Sequence, residues 1–366
     1  MLELDQNLAQ RWYPDEWLEI AAWYRSFSLE VIRDQDAILP FASHPFIRKR
    51  IEAEFAATTL QRADLYEVLS YGDPSFLLTA PGPSLSGVLL QTLGTEEQYR
   101  YFYDYVITHL CRTFFAVTEP KKGSDAGHME TTLSPERLLN GEKMLFGNGA
   151  VAPIGTVLAR TGSGPLDMIA ILLAPELLNS GAVTSQVLEM FAMPGAQLSY
   201  MRFDALLIPE EMLLGRHLKA IERGMMGMLK TFHRFRPGVA SMAIGHGQAL
   251  VDYARQHFTV LREQLDIFDQ RLAQVRTLNR AAAQQVDHDP LQGSLVSLAK
   301  SKATQIAEQI ASVLSRQLPV SALLEHPWLS KSLADVYAYE YMEGTTQIQL
   351  QNIYNGYRRR EIASCL

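Results

Sequence analysis

The 366-residue sequence predicts an α+β fold in three consecutive parts: an N-terminal helical domain over 1–112, a central β-sandwich or barrel over 113–217, and a C-terminal helical bundle over 218–366. Three observations carry this expectation. Apolar residues recur at three- and four-residue steps in the first third, short apolar runs broken by Gly, Pro, Asn and Asp fill the middle, and long helix-like segments return after about residue 218.

In the first part, "DEWLEIAAWYRSFSLEVIRDQ" sets Trp17, Ile20, Ala21, Tyr24, Phe27 and Leu29 on one helical face. "ASHPFIRKRIEAEFAATTLQRADLYEVLSY" and "SLSGVLLQTLGTEEQYRYFYDYVITHL" continue that texture. Thr95 with Gln98 has the spacing of a capping box opening the next helix. In the middle, "RTFFAVTEP", "GTVLART", "DMIAILLAP", "SQVLEMFAMPG" and "MRFDALLIPEE" look like strands, and "ILLAPELL" also admits a helical turn. After residue 218, three long segments suit a bundle rather than a coiled coil, because no strict heptad runs through them.

Composition narrows the function classes. At 47 % hydrophobic and 20 % charged residues the chain is globular, and a net charge of −7 supplies no general field for nucleic acid or an anionic membrane. Cys111 and Cys365 make neither a disulfide framework nor a metal cluster, which suits a reducing compartment. The first residues lack a basic region followed by an apolar run, and nowhere are there about 18 uninterrupted apolar residues. A soluble cytoplasmic protein without a metal is the expectation.

Two motifs carry chemistry. "FAVTEPKKGSD" at 115–125 is a strand running into a polar turn; alone it reads as an ordinary Pro-Gly turn. "AYEYMEGTTQIQLQ" at 338–351 places one carboxylate, Glu343, directly before Gly-Thr-Thr; alone it reads as an exposed helix-end charge. Together they resemble two signatures of the acyl-CoA dehydrogenase family. "LGTEEQ" at 93–98 and "MPGAQLSYMRFDALLIPEEMLLG" at 193–215 are similar to further family segments, in the family's order.

That resemblance implies a C-terminal four-helix bundle, an FAD cofactor between it and the β domain, and α,β-dehydrogenation of an acyl thioester. Glu343 matches the family base, which removes the α-proton while hydride passes to flavin N5; Glu340 is the nearest competitor. Such a base must be strengthened against a weak carbon acid, and burial does this by disfavouring the carboxylate anion. Gly344 and Thr345 would end the preceding helix, with Thr346 and Gln349 as a capping box for the next. Phe115, Val117 and Thr118 would lie along the flavin edge, and Thr345 and Gln347 near its phosphate and ribose. Ser124 would approach the pantetheine arm, and Arg236 would orient the base or contact the acyl group. Met225, Met226 and Met228 would line the acyl pocket or pack the core.

Three departures mark a divergent branch. In "KMLFGNG", Leu145 stands where the family has an aromatic residue on the flavin, and Gly147 where it has a hydroxyl. The Arg-x-x-Phe-Gly loop survives only as "RQHFT" at 255–259, and the Gly-Gly turn is replaced by "QLPVSALLEHP", although Asp335 is kept. These changes resemble members that oxidise acyl or hydroxyacyl groups on an acyl carrier protein in polyketide or nonribosomal peptide biosynthesis. Lys121, Lys122, Arg358, Arg359 and Arg360 are then candidates for a docking patch, or plain surface charge. An ordinary acyl-CoA dehydrogenase and a non-catalytic flavoprotein are the alternatives. A homodimer or homotetramer, with an electron-transfer flavoprotein or oxygen as acceptor, completes the expectation.

Overall fold

The computed structural model describes residues 3–34, 36–37, 39–120, 123, 129–164 and 166–359. The first third folds into α1 (Asp15–Phe27), α2 (Pro45–Ala56), α3 (Thr59–Gly72), the short α4 (Pro74–Thr79), α5 (Ser84–Leu93) and α6 (Glu96–His109). The expected capping box opens α6: Thr95 Oγ1 accepts from Gln98 N, and Gln98 Oε1 accepts from Thr95 N.

The middle holds β1 (Thr113–Ala116), β2 (Thr132–Leu133), β3 (Leu138–Phe146), β4 (Ile154–Arg160), β5 (Met168–Leu173), β6 (Val183–Val187) and β7 (Ser199–Leu207) in one mixed sheet. β4 runs parallel to β1 and antiparallel to β5, while β3, β7 and β6 pair antiparallel. The helical turn admitted in "ILLAPELL" forms at Pro175–Leu178. β3 has no clean alternation because its register shifts at Leu139/Gly141 and again at Met144/Phe146.

β1 sorts its side chains between two cores. Phe114 and Ala116 enter the sheet's own apolar cluster, whereas Phe115 and Val117 pack against the helical one. This period-two alternation sets a half-buried edge of the sheet against the C-terminal helices.

Those helices are α7 (Met225–His257), α8 (Arg262–His288), α9 (Ser294–Gln317), α10 (Pro327–Asp335) and α11 (Thr346–Arg358). α3 crosses α7 backbone to backbone at Gly245, where a Cβ would lie 2.0 Å from the Glu67 carbonyl oxygen. A buried ion triad ties the three parts together. Lys331 Nζ on α10 donates to Asp73 Oδ2 at 2.7 Å and to Asp335 Oδ2 at 2.6 Å, and Asp335 Oδ1 accepts from Met193 N of the middle part. All three side chains are almost wholly removed from water; Phe76 N also donates to Asp73 Oδ1, and the Lys331 ammonium is the charged partner that the two carboxylates share.

Candidate active site

The segment after α10 tightens into a 3₁₀ turn over Val336–Glu340 and then reverses through Glu343 at φ 53° and Gly344 at φ 99°. Only glycine adopts the second value cheaply, and the first is strained for a glutamate. The reversal brings the Glu340 carboxylate onto the start of α11, where Oε1 accepts from Thr346 N at 2.8 Å and Oε2 from Thr346 Oγ1 at 2.6 Å. Free N–H groups and the positive end of the helix dipole favour a carboxylate there. Glu340 is therefore engaged as a cap and is not free to act as a base.

The expected Thr346–Gln349 capping box does not form. Thr345 is the N-cap, accepting from Ile348 N at 3.5 Å, because the two positive φ angles shift the helix start by one residue. Gln349 is fully buried and instead donates from Nε2 to the carbonyls of Glu343 and Gly344, at 3.0 Å each.

Glu343 itself is half-buried, and loss of water pushes its carboxyl from the ordinary 4.5 up to about 7, opposed by the positive charges of Arg236 and Lys300. Arg236, buried on α7, donates from Nε to the Glu343 carbonyl at 3.0 Å. Its guanidinium lies 5.4 Å from the Phe232 ring centre, and Phe232 meets Phe115 edge-on at 5.9 Å. A continuous path of contacts thus joins the β1 edge to the turn that carries the carboxylate.

Other expected residues fall as follows. Val117 and Thr118 are half-buried just beyond β1, and Met144 N donates to the Thr118 carbonyl. Their neighbour Glu119 is pinned by Lys143 Nζ at 2.9 Å and by the amides of Glu130 and Thr131, so this carboxylate ties the end of β1 to β3 and to the residues leading into β2. Burial pulls Lys143 down to about 8 despite that partner. Leu145 is half exposed at φ 61° on the second bulge of β3. Gly147 is crowded on one side: an added Cβ would lie 3.2 Å from the Ala196 carbonyl, closer than an ordinary van der Waals contact. Gln347 is exposed and Thr345 half-buried. Met228 is a core residue, with Met225 packed against that core. Ser124, Asp125, Lys121, Lys122 and Arg360 lie outside the described residues.

Lys300 and Gln349 were not among the expected site residues. Lys300 donates from Nζ to the carbonyls of Glu340 at 3.2 Å and Gly344 at 2.9 Å. Its signal in the sequence is a lysine on the apolar stripe Val296, Ala299, Ala303 and Ala307 of α9, where a charge has no structural reason to lie.

These residues fit a flavin. The half-buried row Phe115, Val117 and Thr118 offers an edge, and buried Arg236 Nη1 has no hydrogen-bond partner among the described residues. No group of three or more His, Cys, Asp or Glu suited to a metal occurs among the described residues. No described helix is long and apolar enough to cross a membrane.

A three-part α, β, α architecture, with a raised carboxyl on the turn before the last helix and an apolar strand edge joined to that turn through Phe232 and Arg236, suits the flavin-linked dehydrogenases of acyl thioesters. Sequence models of the acyl-CoA dehydrogenase middle domain and C-terminal domain match residues 114–206 and 222–357, together more than half of the chain. The chain belongs to the acyl-CoA dehydrogenase family, whose members are FAD-dependent oxidoreductases. It is 26 % identical to the caffeyl-CoA reductase-Etf complex subunit CarC of Acetobacterium woodii, over 76 % of each chain. With the 3-(aryl)acrylate reductase of Clostridium sporogenes it shares 25 % identity over 76 % of this chain and 77 % of that one. Among solved structures, a glutaryl-coenzyme A dehydrogenase in complex with glutaryl-CoA superposes with a TM-score of 0.78 at 21 % identity, over 94 % and 95 % of the two chains. The butyryl-CoA dehydrogenase of Megasphaera elsdenii gives 0.77 at 19 %, over 96 % and 98 %. Both share the fold.

Proposed function

We propose that the protein oxidises the acyl group of a thioester, with Glu343 as the base that takes the α-proton. The observation that carries this reading is the desolvated carboxyl of Glu343 at about 7, held on a strained turn while its neighbour Glu340 is spent as a cap. A base near neutral pH is both ionised often enough and basic enough to accept a carbon-bound proton. Arg236 anchors the turn through the Glu343 carbonyl and sets positive charge near its carboxylate. Phe115, Val117, Thr118, Leu145, Gly147, Thr345 and Gln347 would contact FAD, which supplies the hydride acceptor when bound.

Coenzyme A is the tether supported by the relatives' names, and an electron-transfer flavoprotein is the acceptor supported by the complex in which the Acetobacterium relative is named. Two relatives are named as reductases. A group at about 7 is also protonated often enough to return a proton to Cα, so the same residue serves reduction of an unsaturated thioester. The carrier-protein reading rests on the exposed Arg358 and Arg359 at the end of α11 and on the loss of the aromatic residue at Leu145, features of a divergent member. A homo-oligomer is supported by the exposed apolar face of Leu350, Tyr354 and Tyr357 on α11. Anaerobic mixing of FAD-loaded protein with matched acyl-CoA and acyl-carrier thioesters, followed by the flavin absorbance, separates the tethers. Bleaching by the carrier-bound substrate alone would refute the coenzyme A reading, and bleaching by neither would refute the activity.

A further inference from the structure

The turn that holds Glu343 points its carbonyls inward onto buried donors from three helices. Arg236 of α7 takes the Glu343 carbonyl, Gln349 of α11 takes those of Glu343 and Gly344, and Lys300 of α9 takes those of Glu340 and Gly344. Lys300 is fully buried, and desolvation pulls its ammonium down to about 8, against support from Glu340, Glu343 and Glu308. Taking an ammonium out of water is costly even where carbonyls receive its protons. A glutamine would satisfy two carbonyls without that cost, so hydrogen bonding alone does not account for a charge here. What the charge adds is a field at the carboxylate: Lys300 and Arg236 are the two cations that lower the proton affinity of Glu343. The charged groups around this point are Arg236 from α7, Lys300 and Glu308 from α9, and Glu340 and Glu343 from the turn; α11 brings the uncharged Thr345, Thr346 and Gln349.

We propose that Lys300 is a positioning residue for the reaction: held by the carbonyls of Glu340 and Gly344, its ammonium locks the left-handed turn and lends its charge to the Glu343 carboxylate. This inference rests on Glu343 being the base. An isolated structural staple would need only the hydrogen bonds. A positioning role also requires that the charge set the pH at which the base works.

The test uses FAD-loaded full-length protein, with Lys300→Met removing donor and charge and Lys300→Gln keeping a neutral donor. Anaerobic rates of flavin bleaching by a saturating acyl-CoA are followed from pH 6 to 9, with FAD content and thermal melting alongside. Lys300→Met is expected to lower the maximal rate at least about tenfold and to move the inflection upward by about one pH unit, as loss of a nearby opposite charge does. Lys300→Gln is expected to recover melting, FAD content and part of the rate, with the inflection still displaced. An unmoved inflection in the folded variants overturns the proposal, and so does failure of both variants to fold, which assigns Lys300 to the fold alone. Glu343→Gln is run in parallel. If it bleaches like the wild type, the base assignment itself fails; if it is inactive and the Lys300 variants keep the wild-type profile, only the role of Lys300 fails.

Discussion

Replacing Glu343 by Gln should cost the reaction and stabilise the fold. In the folded chain the carboxyl takes up a proton near 7, against an ordinary 4.5. Between those two values the folded state binds a proton that the unfolded chain has already released, so stability falls as pH rises through the window and levels off above about 7. The interval of 4.5 to about 7 corresponds to about 3 kcal/mol at ~1.36 kcal/mol per pH unit. Glu343 is half-buried and keeps part of its hydration, so about 2 kcal/mol is the working figure. Glutamine preserves shape and never ionises. Urea unfolding of both proteins at saturating FAD, at pH 5 and pH 8, isolates the effect, because bound cofactor otherwise shifts stability by mass action. The stability gain of Glu343→Gln should be about 2 kcal/mol greater at pH 8 than at pH 5. An equal gain at both pH values, or a variant less stable at pH 8, would refute the claim that partial loss of water in the fold raises this carboxyl.

Other perturbations test neighbouring parts of the account. Lys331→Met leaves Asp73 and Asp335 as uncompensated buried carboxylates, and should cost about 3–5 kcal/mol in urea unfolding at pH 7. Gly344→Ala places a side chain at φ 99° with its Cβ 2.9 Å from Gln349 Nε2, and should slow substrate bleaching of the flavin more than it lowers the melting temperature. Thr346→Val removes the hydroxyl bound to Glu340 Oε2 and should destabilise by about 1 kcal/mol, read as a shifted urea midpoint at unchanged slope.

Much of this was legible in the sequence because it is written in period and in contiguous motifs. The helices of both ends and the Thr95–Gln98 cap followed from spacing, and the β1 strand from its short apolar run, whereas its role as an edge came from the motif's resemblance. β3 did not, because its two bulges erase the alternation that marks a strand. The start of α11 was displaced by one residue, since no local pattern announces that Glu343 and Gly344 both take positive φ. Glu343 was named by its motif, whereas the separate task of Glu340 emerged only when the chain reversal brought it to Thr346. Lys300 lies 43 positions before Glu343 and meets the turn only through the packing of α9, so no sequence neighbour reveals the contact. Cross-element contacts of this kind set the electrostatics of the site.

Glu343 is proposed to remove the proton from the α-carbon. Exchange of α-protons for deuterium in an arylacetyl-CoA, a thioester with α-protons and no β-hydrogen to lose, reports that step without oxidation. FAD-loaded wild type in deuterated buffer should exchange these protons, with a rate that rises about tenfold between pH 6 and pH 8 around an inflection near 7, as the carboxyl ionises. Glu343→Gln, with its FAD retained, should exchange them no faster than buffer. Exchange at the wild-type rate in that variant would contradict the account.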